Sequence, residues 1–330
     1  NLYMFHGGST PRGEQYFYAD EAYGLPKVSY DFQAPIGEFG QLHEGFHRLK
    51  LVHYFLQDFG DLLAPMQVAL PANAADLKPE NLKDLRYTAR VKDGSGFLFL
   101  NNFQDDALME DQHQVQIKLS LSTGTMSIPE TGGLDLKSGE NAILPFNVDQ
   151  NSAHLNYATA QLLMKTEDFG KPCFIFFAPE GISPEFSFAR DNKLAPQNIN
   201  GCTISENKQR YLLRCPENAT SEFIVTTAKG TAKVLVVPKA MALKSWKVLI
   251  NGKKHLIFSE ATVLQYGETF ELHSIGKNTI DFSIYPAALH LPVSLSGASI
   301  EIQQGSKPLA NCRITLPPVN IPVTTREIGP

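Results

Sequence analysis

The sequence predicts a mainly β protein: the last strand and helix of a β/α barrel, followed by two β-sandwich-like domains. Three observations carry this. A short apolar run, Asn1-Leu2-Tyr3-Met4-Phe5, stops at Gly7-Gly8 as a buried strand would. After a polar, aromatic loop, one long helical pattern runs to about residue 60. Beyond Gly60 the helical period nearly vanishes, and short apolar or alternating runs separated by turn residues take over. One strand and one helix, then many strands, is the order of a barrel's last repeat joined to sandwich modules. The boundaries read 1–60 for the barrel end, 61–190 for an accessory β domain and 191–330 for a second β-sandwich-like domain.

The helix is the stretch LHEGFHRLKLVHYFLQDF. Its residues Leu42, Phe46, Leu49, Val52, Phe55, Leu56 and Phe59 recur at threes and fours, the spacing of a buried stripe. Strands are expected at 96–103, at 114–122 with Val115, Ile117, Leu119 and Leu121 on one face, at 142–149 and at 173–180. Pro129, Pro172 and Pro179 fall at the edges of such runs, whereas Pro145 lies inside one and predicts an edge strand. In the last third, 222–238 reads as a hairpin turning at Lys229-Gly230. The stretch 246–258 reads as a second, with the Asn251-Gly252 signal of a two-residue loop. Residues 278–286 supply another strand, and an alternating patch at 299–303 continues into a proline-rich tail. Trp246, the only tryptophan, alternates with Val248 and Ile250 and is expected in the core.

The helix carries His43-Glu44-x-x-His47 with a further histidine at His53, close to the extended zinc-protease pattern. That pattern needs a chain reversal after the second histidine to deliver the third ligand. Here Lys50 occupies the place of the glycine, and an unbroken helix sets His43 and His53 roughly 15 Å apart along its axis. The three cannot meet at one ion, so neither metal nor cofactor is expected.

Composition excludes several classes. The chain has 330 residues, 43% of them hydrophobic and 19% charged, with a net charge of −5; this is a globular composition without a nucleic-acid or acidic-membrane partner. The longest apolar stretch is too short and proline-broken to cross a bilayer. The four cysteines show no CxxC pairing. The chain opens without an initiator methionine, inside an expected strand, and is read as a piece of a longer protein whose targeting signal is out of view.

Asn1-Leu2-Tyr3-Met4-Phe5-x-Gly7-Gly8, followed by Ser29-Tyr30-Asp31, Ala34-Pro35-Ile36, Glu38 and Gly40, resembles the end of the catalytic barrel in glycoside hydrolase family 35, the β-galactosidases. The matched span is about 1–58, and the β segments 94–104, 142–149, 155–163 and 176–188 are similar to the accessory domain of bacterial members. The resemblance implies a (β/α)8 barrel with retaining, exo-acting chemistry on terminal β-galactosyl residues. Two glutamates roughly 5 Å apart do that chemistry. In the family both lie on earlier strands, so no catalytic residue is assigned here. The resemblance further implies a carbohydrate substrate, export to the periplasm or the extracellular space of a bacterium, and no statement on oligomeric state.

Active sites of such barrels lie at the C-terminal ends of the strands. Tyr3 matches a family tyrosine that contacts galactose, with His6 beside it and the Gly7-Gly8 bend opening that face. Tyr30 belongs to the second motif. Phe32 is a departure, since most members carry a second sugar-contacting tyrosine there; Thr10-Pro11 and the whole loop to Pro26 also diverge. Glu14, Asp20 and Glu21 are rim residues or simply solvated. Asp31 is expected to brace the loop by accepting backbone N–H groups rather than to do chemistry. The alternatives are a non-catalytic carbohydrate-binding or adhesive β module, against which the single tryptophan speaks, and a relative acting on another β-glycoside such as a glucosaminide. Cys202 and Cys215 bracket two short strands around a polar turn, so they face each other as a disulfide or stay as reduced thiols.

Overall fold

The computed structural model describes residues 4–9, 29–122, 124–150, 153–190, 192–194, 199–228, 230–287, 298–303 and 308–318. The chain forms two compact units, Asn1–Leu243 and Lys244–Pro330. The fold is mainly β, with two helices among the described residues, Glu44–Leu63 and Lys239–Leu243.

The first unit is a sandwich. Its eight-stranded sheet runs, edge to edge, Thr203–Glu206, Arg210–Arg214, Glu185–Ala189, Ala153–Ala158, Asn141–Gln150, Ser95–Asn101, Arg86–Lys92 and Gln67–Ala69. Facing it is a five-stranded sheet of Gln161–Asp168, Lys171–Ala178, Gly230–Pro238, Ser221–Thr227 and Ile199–Asn200. The inner faces meet through Phe97, Leu155, Phe186 and Phe188 on one side and Phe176 and Phe223 on the other. Strand alternation makes this core: Ser221, Phe223 and Val225 are buried at every second position. The other face of the large sheet is covered by the pairs Gln112–Val115 with Leu134–Leu136 and Ile117–Leu121 with Gly124–Ile128, whose Ile117, Ile128 and Leu134 pack on Leu98, Leu144 and Phe146.

The long helix adds Phe55 and Phe59 to the sandwich core. Its buried residues are Lys50, Leu51, Phe55, Asp58 and Phe59, so the buried face is turned from the expected stripe, and Leu56 is exposed. The turn follows from Asp58, whose carboxylate accepts the Lys165 N–H at 3.0 Å and docks that face onto the Gln161–Asp168 strand. The apolar run before Gly7 is not a strand in its described part. Met4 and Phe5 lie in a turn and a bend, and among the described residues of this run only His6 forms a bridge, parallel to Ile36. The expected strand 114–122 is likewise broken at Gln116, which turns its side chain to the Pro129 carbonyl at 2.9 Å.

Pro145 sits in an interior strand, not an edge one. Locally the expectation's logic survives: pairing to Ala153–Ala158 begins only at Phe146, so Pro145 has a strand partner on one side, Phe97. Its missing N–H interrupts no ladder there. The segment after residue 190 does not open a new domain. It closes the two existing sheets, because Gly230–Pro238 inserts parallel to Lys171–Ala178, and the division falls at Leu243/Lys244. The sulfurs of Cys202 and Cys215 are bonded one step beyond the Thr203–Arg214 pair, with Cα atoms 4.1 Å apart.

The second unit has a five-stranded sheet in the order Ser245–Ile250, Lys253–Ser259, Thr279–Tyr285, Ala310–Thr315, Ser299–Gln303, and a hairpin of Thr262–Tyr266 and Thr269–His273. Asn251 and Gly252 both take positive φ, 50° and 71°, the requirement of a two-residue hairpin loop. Trp246 is buried, and its indole N–H donates to the Ser259 carbonyl at 3.3 Å.

Candidate functional site

The residues singled out by the motifs meet in the loop 29–43. Ser29–Tyr30 pairs with Gly8–Ser9, and Gly7 N–H donates to the Ile36 carbonyl at 2.7 Å. Ile36 N–H returns a bond to the Phe5 carbonyl at 3.0 Å. A tight turn follows Asp31, whose carbonyl accepts Ala34 N–H at 2.9 Å while Phe32 and Gln33 take φ of 47° and 51°. Phe32 is thereby thrown outward and is 63% exposed. His6 is exposed as well, its Nδ1 against the Gly7 carbonyl. Tyr3, Thr10-Pro11, Glu14, Asp20 and Glu21 lie outside the described residues, and Tyr30 is placed by its backbone.

Two carboxylates hold this loop. Asp31 Oδ1 accepts Glu38 N–H at 2.6 Å and the Gln41 amide at 3.4 Å, and its Oδ2 lies 3.5 Å from His43 Nε2. Glu38 accepts the hydroxyls of both Ser9 and Ser29, tying the two chain segments together. Gly37 is closely approached: a Cβ there would lie 2.3 Å from the Gln41 side chain and 2.7 Å from Asp31 Oδ1, so both side chains would have to shift. Gly8 is under no such constraint, since a Cβ would meet nothing within 4 Å. Beneath the loop, the Phe5 ring packs on Phe46 and His53 with centroids 6.3 and 6.1 Å away. Both carboxylates are engaged with donors of their own loop. The arrangement is a braced loop that leaves Phe32 and His6 exposed.

The three motif histidines have separate surroundings. His43 precedes the helix with extended backbone and faces Asp31. His47 lies 3.3 Å from Lys50 Nζ, and burial, then the Lys50 charge, push its pKa down. His53 packs against Phe5 with the rings tilted by 35°. Among the described residues no group of histidine, cysteine, aspartate and glutamate side chains is arranged to hold a metal ion. No helix there is long and apolar enough to cross a membrane.

Sequence reasoning missed Glu140. It is 3% exposed, takes the Lys239 ammonium on Oε1 with Arg48 at 3.7 Å, and so joins both helices to the sheet. No local pattern marks it, because its partners are about a hundred residues away on either side.

Residues 77–244 match the family model described as beta-galactosidase, domain 2. Probable beta-galactosidase B of Penicillium rubens is 21% identical over 267 residues, 80% of this chain and 25% of that protein. Beta-galactosidase A of Aspergillus niger is 20% identical over 250 residues, 74% of this chain and 23% of that protein. The chain thus spans about a quarter of the length of the curated relatives it matches.

Proposed function

Because this chain belongs to the beta-galactosidase family through the domain spanning residues 77–244, we propose that it is the part of a retaining, exo-acting β-galactosidase of glycoside hydrolase family 35 that completes the catalytic barrel and buttresses it with β domains. The observation that carries this is a coincidence of boundaries: the family match ends at residue 244, and the first compact unit ends at Leu243. That unit also contains the braced loop and the long helix, so the motif residues and the matched domain share one folded body. In this reading residues 1–60 close the barrel. Tyr3, His6, Tyr30 and Phe32 line the sugar pocket, and Asp31, Gly7 and Gly8 shape the rim. The Cys202–Cys215 bond supports export to an oxidising space. Both relatives named above are fungal, so the proposal carries no bacterial origin.

The catalytic glutamates of this reading lie outside the 330 residues. The purified chain alone should therefore leave nitrophenyl β-galactoside intact, while the longer polypeptide containing it releases galactose from non-reducing ends. Turnover above background by the chain alone, or none by the longer protein, would sink the assignment.

A further inference from the structure

We infer that the first unit carries a second, non-catalytic groove for a neutral, polyhydroxylated ligand, an oligosaccharide of two or more units. Two adjoining clefts of about 350 and 270 Å³ share Thr131 and Arg214. Each is within or near the range of small-molecule sites, and the two adjoin at the hydrogen-bonded Thr131–Arg214 pair. The groove lies on residues 114–214 and uses none of the loop described above.

Its walls are built and charge-balanced. Glu185 is buried, with Oε1 accepting the Tyr157 hydroxyl at 2.6 Å and Oε2 accepting Arg214 Nε at 2.8 Å. Tyr157 in turn accepts Glu130 N–H at 2.9 Å, and the other arm of Arg214 donates to the Thr131 hydroxyl at 2.6 Å. Burial and Glu185 hold the Tyr157 pKa well above its usual range, so it stays a neutral donor. In the second cleft Arg210 pairs with Glu130. Each guanidinium is thus neutralised by its own carboxylate, which leaves no net positive field for an anion.

What remains open to a ligand is hydrogen-bonding capacity. Asp135 Oδ1 is taken by Gln114 N–H at 2.8 Å, whereas its Oδ2 has no hydrogen-bond partner among the described residues. Gly132, Gly133 and Gly181 also line the first cleft. Two of them are packed on neighbouring backbone: a Cβ at Gly133 would lie 2.3 Å from the Gln114 backbone, and one at Gly181 2.9 Å from the Asp135 carbonyl. A peptide would want apolar side-chain pockets, and an apolar ligand an apolar lining. A sugar hydroxyl both donates and accepts, so adjacent hydroxyls can give to Asp135 and take from Arg214.

The inference rests on the proposed function only for the choice of probe. The test is hydrogen–deuterium exchange on the full-length protein with galactose, lactose, β-1,4-galactotriose and inorganic sulfate. Galactotriose should protect residues 129–135 and 181–185 more than galactose does. In Asp135→Asn, which keeps the Gln114 brace, and in Thr131→Val, that protection should need about tenfold more saccharide, while nitrophenyl galactoside turnover is unchanged. No protection by any saccharide, equal protection in both variants, or protection by sulfate alone overturns the groove. Protection without galactoside hydrolysis supports the groove and removes the proposed function; hydrolysis without protection removes the groove alone.

Discussion

The sandwich and the 29–43 loop belong to one unit but are held by opposite means. The sandwich is held by aromatic and β-branched side chains with almost no exposure. Phe186 is fully buried with Phe176 and Phe223 rings both 5.1 Å away. In the loop, Phe32, Gln33 and Phe39 are exposed and Ala34 is buried, and the backbone is pinned by the carboxylates of Asp31 and Glu38. Apolar packing tolerates changes of residue as long as volume and pattern are kept. A carboxylate that receives particular N–H groups tolerates almost none.

The widest break in this comparison is a cavity in the sandwich. Phe186→Ala should cost about 3–5 kcal/mol, read as a lower denaturant midpoint of the first unit. A cost below about 1 kcal/mol would mean the two sheets do not share one core. Next comes the edge of the same sheet. Replacing Cys202 and Cys215 by serine should remove about 3 kcal/mol by the loop-entropy estimate, and reductant should match it in the parent protein but do nothing further to the variant. Four titratable thiols in the unreduced, denatured protein, where the bond leaves Cys173 and Cys312, would contradict it.

A third experiment sits where the two regions meet, on the long helix. Burial holds the Lys50 amine down to about 7. An unfolded lysine titrates near 10.4, so between these values the unfolded chain binds more protons and stability rises with pH. Below about pH 7 both states are protonated and the full cost of burying the charge is present. Lys50→Met should therefore stabilise the protein by a few kcal/mol at pH 6 and flatten the rise between pH 7 and 10. A variant with the parent's pH slope would show that Lys50 is not the group responsible.

How much of this the sequence discloses depends on how local the cause is. The Asn251-Gly252 hairpin was legible because two adjacent residues supply both positive φ values. Strands such as Ser221–Thr227 were legible because each carries its own alternation. The domain boundary at 190 was misread because the five-stranded sheet is completed by a parallel partner that arrives only at residue 230. The helix face was misread because two polar residues, Lys50 and Asp58, are buried on it, and hydrophobic spacing is blind to them. The motif brought Asp31 into view, but nothing local marks the groove, whose wall joins Tyr157, Glu185 and Arg214 from three strands of one sheet.

The smallest effect on stability is expected in the loop, and it carries the sharpest contrast. Asp31→Ala frees the Glu38 N–H and leaves His43 without its carboxylate, a local loss of about 1–3 kcal/mol. The loop lies outside the aromatic core, so the thermal midpoint should scarcely move. If this loop is the rim of the sugar site in the longer protein, the rim residues would no longer be held in register. Turnover of nitrophenyl galactoside should then fall about 10- to 100-fold, since each 1.4 kcal/mol of lost transition-state binding is about tenfold in rate. Asp31→Asn retains Oδ1 as an acceptor for Glu38 N–H and should recover most of the loss. Phe32→Tyr, at an exposed position that tolerates the added hydroxyl, should alter galactoside kinetics without touching stability. The opposite pattern, a lower midpoint with normal turnover in Asp31→Ala, would make the loop part of the scaffold. The difference between the two regions would then be one of packing alone.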